Sequence, residues 1–317
     1  MVLEELTLRF YLILFSIFFF IIYFIYLFNF NSIKLDEQFI NIKKNESVYN
    51  IANNITKNEN FFHQKIFYLS LILSNNFNIK VNYGIFEINK KPSFINILKI
   101  ITKKSNIDFK LTIVEGWERY QLDKYLSSYY PDYEQLPYNS LIADTYIINS
   151  SNSFKDFKKF LELTKDNFFN SYKNNKLIKK YGFNNVLIIA SLVEKEAKNN
   201  EDKSLISSVI FNRLNDNMRL QIDATVISAI TKGKYKLDRD LNYKDLKIKD
   251  DLNTYIIDGI PSEMISYVGK KTVEIILENN KSDFLFYFYN ILEKKHIFSK
   301  NYKSHRKKLN EYRKKIK

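Results

Sequence analysis

Residues 185–198 read NVLIIASLVEKEAK. Val186, Ile189, Ala190, Val193 and Ala197 recur at i, i+3, i+4, i+7 and i+11, the apolar stripe of a helix. Glu194 and Glu196 flank that stripe. Two residues along a helix turn through about 200°, so the two carboxylates cannot face one cleft together. Either can border the apolar face, where partial desolvation raises a carboxyl pKa. Helical periodicity does not choose between them, and two solvated glutamates beside Lys195 and Lys198 are the commoner outcome of such a pattern.

Downstream, Phe211-Asn212-Arg213-Leu214 precedes Met218-Arg219-Leu220-Gln221-Ile222-Asp223-Ala224-Thr225. Polar and apolar residues alternate from Arg219 to Asp223, which predicts a short strand or an extended loop. Such a stretch puts Arg219, Gln221 and Asp223 on one side, a row of donors and acceptors suited to a sugar. Leu252-Asn253-Thr254-Tyr255 and Gly259-Ile260-Pro261 form a second polar patch with turn chemistry. Upstream, the strand-like Phe109-Lys110-Leu111-Thr112-Ile113 leads into Val114-Glu115-Gly116-Trp117. This is the only Trp, and it serves equally well as a sugar platform or a core plug.

Residues 37–107 read as a small α+β module. Phe39-Ile40-Asn41-Ile42 is strand-like, and Val48, Ile51, Ala52 and Ile55 are helically spaced. A second helical run covers residues 62–73, followed by Tyr83-Gly84-Ile85-Phe86. Ser93 is placed to cap a helix over residues 94–101. The module has no clustered acids and no His/Asp pair.

Residues 10–28 contain no charge, and as a helix they span about 28 Å, close to a bilayer core. Tyr23 and Tyr26 stand near the far interface, where amphipathic rings are favoured. No small-residue cleavage pattern follows, so residues 1–9 read as a short tail before an uncleaved transmembrane anchor rather than a signal peptide. A buried core helix is the alternative. Lys34, Lys43 and Lys44 after the anchor favour a cytoplasmic C-terminal side, but that rule weakens before a long domain, so charge does not decide orientation.

Composition narrows the chemistry. The chain has 317 residues, 49 Lys+Arg, 35 Asp+Glu and no Cys. Thiolate nucleophiles, iron–sulfur clusters and cysteine-based zinc sites are excluded. Of the histidines, His296 and His305 lie nine apart without a third ligand and His63 is distant, so no metal and no cofactor are expected. The net charge of +14 accompanies a general enrichment in Lys, Asn, Ile, Phe and Tyr. A Lys-rich surface accounts for it more simply than a polyanion site. Residues 294–317 concentrate eleven Lys/Arg against one Glu, Glu311. They read as a solvated helix end, with attraction to anionic wall polymers or lipid as the functional alternative. No nucleic-acid partner is expected.

Taken in order, these motifs resemble one family. Ala190-Ser191-Leu192-Val193-Glu194-Lys195-Glu196 is similar to the signature of the endolytic murein transglycosylase, or YceG-like, family. So are Phe211–Leu214, Met218–Gln221 with Asp223, Asn253-Thr254-Tyr255, Gly259-Ile260-Pro261, and His296-Ile297-Phe298-Ser299 through His305. Glu115-Gly116-Trp117 matches the start of that family's catalytic domain. The resemblance implies an α+β protein: an anchor at 10–28, a LysM-like subdomain at 37–107 and a YceG-like catalytic domain at 108–317. It implies a single-pass protein of the bacterial inner (cytoplasmic) membrane with its bulk on the periplasmic or outer face. Its partners would be peptidoglycan glycan strands and peptidoglycan synthases. It implies lytic cleavage of MurNAc-GlcNAc bonds within nascent strands, leaving 1,6-anhydro-muramyl ends and limiting strand elongation. Glu194 maps onto the catalytic glutamate. Glu196, Arg213, Gln221, Asp223, Thr225, Asn253, Thr254 and Tyr255 would bind sugar or support it.

The chain departs from the pattern at three places. Asp223-Ala224-Thr225 stands where Asp-Pro-Thr is usual, Leu252 where Tyr is usual, and residues 262–268 replace a Pro/Gly-rich loop. Loss of prolines predicts a loop less ordered in advance. A catalytically weak peptidoglycan-binding scaffold is therefore the second reading.

Overall fold

A computed structural model describes residues 2–30, 32–35, 38–88 and 91–316. The predicted subdomain boundary at Glu37 lies outside the described residues. By compactness the chain divides into two units. The first comprises Met1–Lys110 with Ile147–Asn152, and the second Leu111–Tyr146 with Ser153–Lys317.

The first unit begins with α1 (Val2–Phe30), a 29-residue helix. Its apolar stretch Arg9–Phe30 has a mean hydropathy of 2.6 and is not buried in the protein, so it is long and apolar enough to cross a membrane. The order that follows is β1 (Phe39–Ile42), α2 (Val48–Thr56), α3 (Phe61–Asn76), β2 (Gly84–Glu87) and α4 (Phe94–Ile101). β1 and β2 pair antiparallel, with Phe39 opposite Glu87 and Ile42 opposite Gly84. The Ser47 hydroxyl accepts from the Asn50 amide and caps α2. Ser93 precedes α4 as predicted, but its side chain makes no capping bond. Ile51, Ile55, Phe67, Leu71, Phe86, Phe94 and Ile97 form a buried core.

In the second unit α8 (Phe183–Glu196) is central. Val186 through Val193 are all buried, so the helix has no solvent face along its middle. The predicted stripe holds at Val186, Ile189, Ala190 and Val193 but is too narrow, because α8 is wrapped rather than laid on a surface. It packs against α7 (Lys176–Tyr181), α9 (Asn200–Asn215), α10 (Asp223–Thr231) and α11 (Lys270–Glu278). The helix stops at Glu196 because Ala197 turns extended, at φ −74° and ψ 146°. Ala197 therefore lies off the stripe.

The unit is completed by α5 (Arg119–Ser127), α6 (Phe154–Asn170), β5 (Phe286–Asn290), β6 (Lys295–Ser299) and α12 (Tyr302–Lys315). The boundary between the units falls within β3 (Asp108–Thr112) and β4 (Thr145–Asn149), which pair. β5 and β6 are an antiparallel hairpin with Tyr287 opposite Phe298 and Tyr289 opposite His296. α12 lies on this hairpin through ring contacts of Tyr302 and His305 with Phe286 and of Tyr312 with Phe288. Most of its Lys and Arg residues point to solvent.

Residues 219–223 form no strand. Arg219, Gln221 and Asp223 are exposed, while Leu220 and Ile222 are buried. The alternation is real, but the backbone bonds go elsewhere: the Gln221 amide donates to the Thr254 carbonyl and the Ile222 amide to the Thr254 hydroxyl. Nor does the loop at 262–268 lack anchoring. Met264, Ile265, Tyr267 and Val268 are buried, and Tyr267 exchanges backbone bonds with Gly116 and Trp117 at 2.9 and 2.8 Å. Burial here does the ordering that prolines would otherwise do.

Candidate functional site

The two glutamates of α8 occupy different environments. Glu194 has a side chain only 6% exposed. Its Oε1 lies 2.8 Å from Lys203 Nζ of α9, and its Oε2 accepts from the Thr272 hydroxyl of α11. The Gly269 amide, at the N-cap of α11, points to the same oxygen at 3.4 Å. Lys203 also donates to Thr272 at 2.7 Å and lies 3.3 Å from Glu115 Oε2. Through this ion pair and the Thr272 bond Glu194 ties α8, α9 and α11 together.

Among the described residues no such cation pairs with the Glu196 carboxylate. It is half-buried at the last helical position of α8, and Tyr287 of β5 donates its hydroxyl to Oε2 at 3.2 Å. Burial pushes its carboxyl above the ordinary range, and the charge of Asp223 pushes it further. The Tyr287 hydroxyl and, more weakly, Lys198 and Lys195 pull it down. Burial and the charge of Glu196 in turn hold the Tyr287 phenol well above its ordinary value.

The motif residues assemble around this carboxyl. Asp223 opens α10 and accepts from the Tyr255 hydroxyl at 2.5 Å. Burial, then Asp223, raises the Tyr255 phenol. Gln221 is exposed beside them with a left-handed backbone (φ 49°), a conformation that costs a non-glycine residue about 1–2 kcal/mol. Arg213 braces two backbone segments. It is buried and donates to the carbonyls of Leu285 and Leu220 at 2.7 and 2.6 Å, joining the start of β5 to the 219–222 segment. Its neighbour Asn212 holds the carbonyls of Ser282 and Phe284.

Thr225, Asn253 and Thr254 are fully buried and have no access to substrate. The Thr225 and Thr254 hydroxyls bond to each other at 2.9 Å, and the Asn253 amide holds the carbonyls of Leu246 and Ile248. These three support the fold under Tyr255 and Asp223. Trp117 is half-buried, with its ring edge-on to Tyr125 at 5.3 Å.

Sequence reasoning missed Tyr287, Lys203 and Thr272. Tyr287 is one ring in the aromatic run Phe284–Tyr289, with nothing local to set it apart. Lys203 did carry a signal: it shares a helical stripe with Ile206, Ile210 and Arg213, so a lysine stands on a buried face. Elsewhere in the unit, a cavity of about 360 Å³ is lined by Asn139, Lys165, Asp166, Phe169, Asn170, Phe183, Asn184 and Leu187, and none of the motif carboxylates reaches it. Among the described residues no cluster of three or more His, Asp or Glu could hold a metal ion.

The sequence model of the YceG-like family matches residues 40–311. An endolytic murein transglycosylase of Bacillus subtilis (strain 168) is 35% identical over 173 residues, 54% of this chain and 47% of that protein. One from Streptococcus pneumoniae serotype 2 (strain D39 / NCTC 7466) is 26% identical over 218 residues, 68% of this chain and 37% of that protein. The chain spans less than half the length of these curated relatives. A crystal structure of a YceG-like protein from Listeria monocytogenes superposes with a TM-score of 0.55 at 25% identity, covering 85% of this chain and 98% of that one.

Proposed function

The chain belongs to the YceG-like family, and from that premise we propose that it is a membrane-anchored endolytic transglycosylase of peptidoglycan glycan strands, with Glu196 as its acid/base. The carrying observation is the environment of Glu196: half-buried, held by Tyr287 and facing the charge of Asp223. Glu194 fits the role less well, because its carboxylate already has Lys203 and Thr272.

The chemistry needs one acid. Ordinary glycosidases use two carboxyls on opposite sides of the bond. Here the nucleophile is the muramyl 6-hydroxyl, tethered to the sugar being cut, and such tethering is worth effective molarities of about 10⁵ M or more. Glu196 gives its proton to the glycosidic oxygen as the C1–O bond breaks. The 6-hydroxyl oxygen then bonds to C1 and its proton returns to Glu196, leaving a 1,6-anhydro-muramyl end. A carboxyl raised toward neutrality can do both jobs. Burial, helped by the charge of Asp223, favours the protonated form of Glu196 before reaction, and Asp223 offsets positive charge developing at C1. Gln221 and Asp223, both exposed, are the residues of this group best placed to touch sugar.

In the same reading α1 anchors the chain in the bacterial inner membrane with both units on its outer face. Residues 37–107 act as a LysM-like glycan-binding subdomain, supported by the β1–α2–α3–β2 order with β1 and β2 antiparallel. Cutting nascent strands beside peptidoglycan synthases would limit strand length.

The full chain in detergent, incubated with purified peptidoglycan, is expected to yield internal cuts with 1,6-anhydro ends by mass spectrometry. Free reducing ends would make it a hydrolase, and bound but intact glycan would make it a scaffold. Tyr287→Phe removes a hydrogen bond to the ionised form of Glu196. Its alkaline limb of activity should therefore move to higher pH, because the lost bond held the carboxyl down. A pH–rate profile with an unmoved limb would separate Tyr287 from the reacting proton.

A further inference from the structure

The structure points to a second membrane contact: we propose that the outer face of α3 lies in the interfacial zone of the bilayer beside α1. The inference rests on the reading of α1 as an anchor. α3 reads FFHQKIFYLSLILSNN, with Lys65 its one Lys, Arg, Asp or Glu. Its inner face, Ile66, Phe67, Ser70, Leu71 and Ser74, is buried. A surface helix ordinarily turns polar residues outward, yet Phe61, Phe62, Leu69 and Leu73 are 73%, 43%, 53% and 51% exposed. Phe62, Leu69 and Leu73 fall within about 40° of one another around the helix. Phe77 and Ile79 extend the exposed surface just beyond it. Contiguous apolar surface of this kind marks a contact.

What covers it follows from α1. The Phe62 ring stacks on Tyr23 with centroids 6.3 Å apart. Phe24 and Phe28 pack on the same core as the inner face of α3, with Phe28 against Phe94 at 6.3 Å. Tyr23 lies seven residues before Phe30, where α1 ends, about 10 Å down the helix axis. A bilayer that holds α1 therefore reaches Phe62 at the same depth. Interfacial helices bury their apolar face by about 5–10 Å, which agrees. Lys65, whose ammonium sits 5.2 Å from the centre of the Phe61 ring, can extend its charge to the headgroups while its stem stays in the apolar layer. The first unit would then be fixed against the membrane surface by two helices.

The chain has no Cys, so single-cysteine variants carry one spin label each. Phe18→Cys in α1, Leu69→Cys and Leu73→Cys in α3, and Leu163→Cys, an exposed apolar site of α6, would be made in the full chain. Each would be reconstituted in phosphatidylethanolamine/phosphatidylglycerol vesicles. Labels at 69 and 73 should meet oxygen severalfold more than a water-soluble nickel chelate, as at 18, with the reverse at 163. Water-like values at 69 and 73 with lipid-like values at 18 would overturn the proposal alone. Water-like values at 18 as well would remove the anchor reading and the proposal with it. Spin–spin broadening at 69 and 73 would assign the face to a second copy of the chain and overturn the lipid contact.

Discussion

Glu196→Gln is expected to lower glycan cleavage by about 10²–10⁴-fold, the range for loss of a positioned general acid/base. The amide keeps the shape of the side chain and can still accept from Tyr287, so the site should stay assembled. It has no proton to give at neutral pH. Stability supplies an independent readout. Burial raises the carboxyl of Glu196 in the folded chain, so its favourable contribution is fully present below the unfolded value, about 4.3. It is lost as pH rises through the higher folded value. Gln has no such loss. The variant should therefore melt at a higher temperature than wild type at pH 8, with the gap closing near pH 4. Thermal unfolding at the two pH values, beside product analysis by mass spectrometry, checks both halves. Full lytic activity in Glu196→Gln would remove Glu196 as the acid/base. Glu194→Gln should do the opposite, weakening the fold while leaving a detectable rate.

The elements with strong periodicity were legible in the sequence. The helix over residues 94–101 begins after Ser93, the one after Ser47 buries Ile51, Ala52 and Ile55, and the strand at Phe39–Ile42 stands as read. Alternation at 219–223 correctly separated exposed from buried side chains, yet it could not reveal that Thr254, rather than a strand, satisfies the backbone. The choice between Glu194 and Glu196 was illegible for a related reason. Position around a helix separates the two but does not say what each meets. Thr272, which bonds Glu194, is 78 residues away, and Tyr287, which bonds Glu196, is 91 away. The family resemblance pointed to Glu194, whereas the tertiary partners favour Glu196. The motif Asn253-Thr254-Tyr255 likewise read only as a polar patch that binds sugar or supports it, and only burial separates Asn253 and Thr254 from Tyr255.

Breaking the Glu194–Lys203 pair should produce the largest stability loss among these substitutions. The side chains of Glu194 and Lys203 are 6% and 10% exposed. Removing one partner of a buried pair strands the other charge, at about 3–5 kcal/mol. Glu194→Ala leaves Lys203 with the Thr272 hydroxyl and a part-exposed Glu115 at 3.3 Å, so a loss near the lower bound, about 3 kcal/mol, is expected. Lys203→Met strands Glu194 with only hydrogen-bond donors and should cost at least as much. The double variant Glu194→Gln/Lys203→Met removes both charges, keeps an acceptor for Thr272 and fills the site with an apolar stem. It should recover most of the loss, because a neutral replacement of similar volume avoids desolvating two ions. Trp117 is the only tryptophan and lies in the second unit, so its fluorescence reports unfolding of the part that contains the pair. Losses in the two single variants that simply add in the double would mean the charges act independently, and Glu194 would then be free for another role.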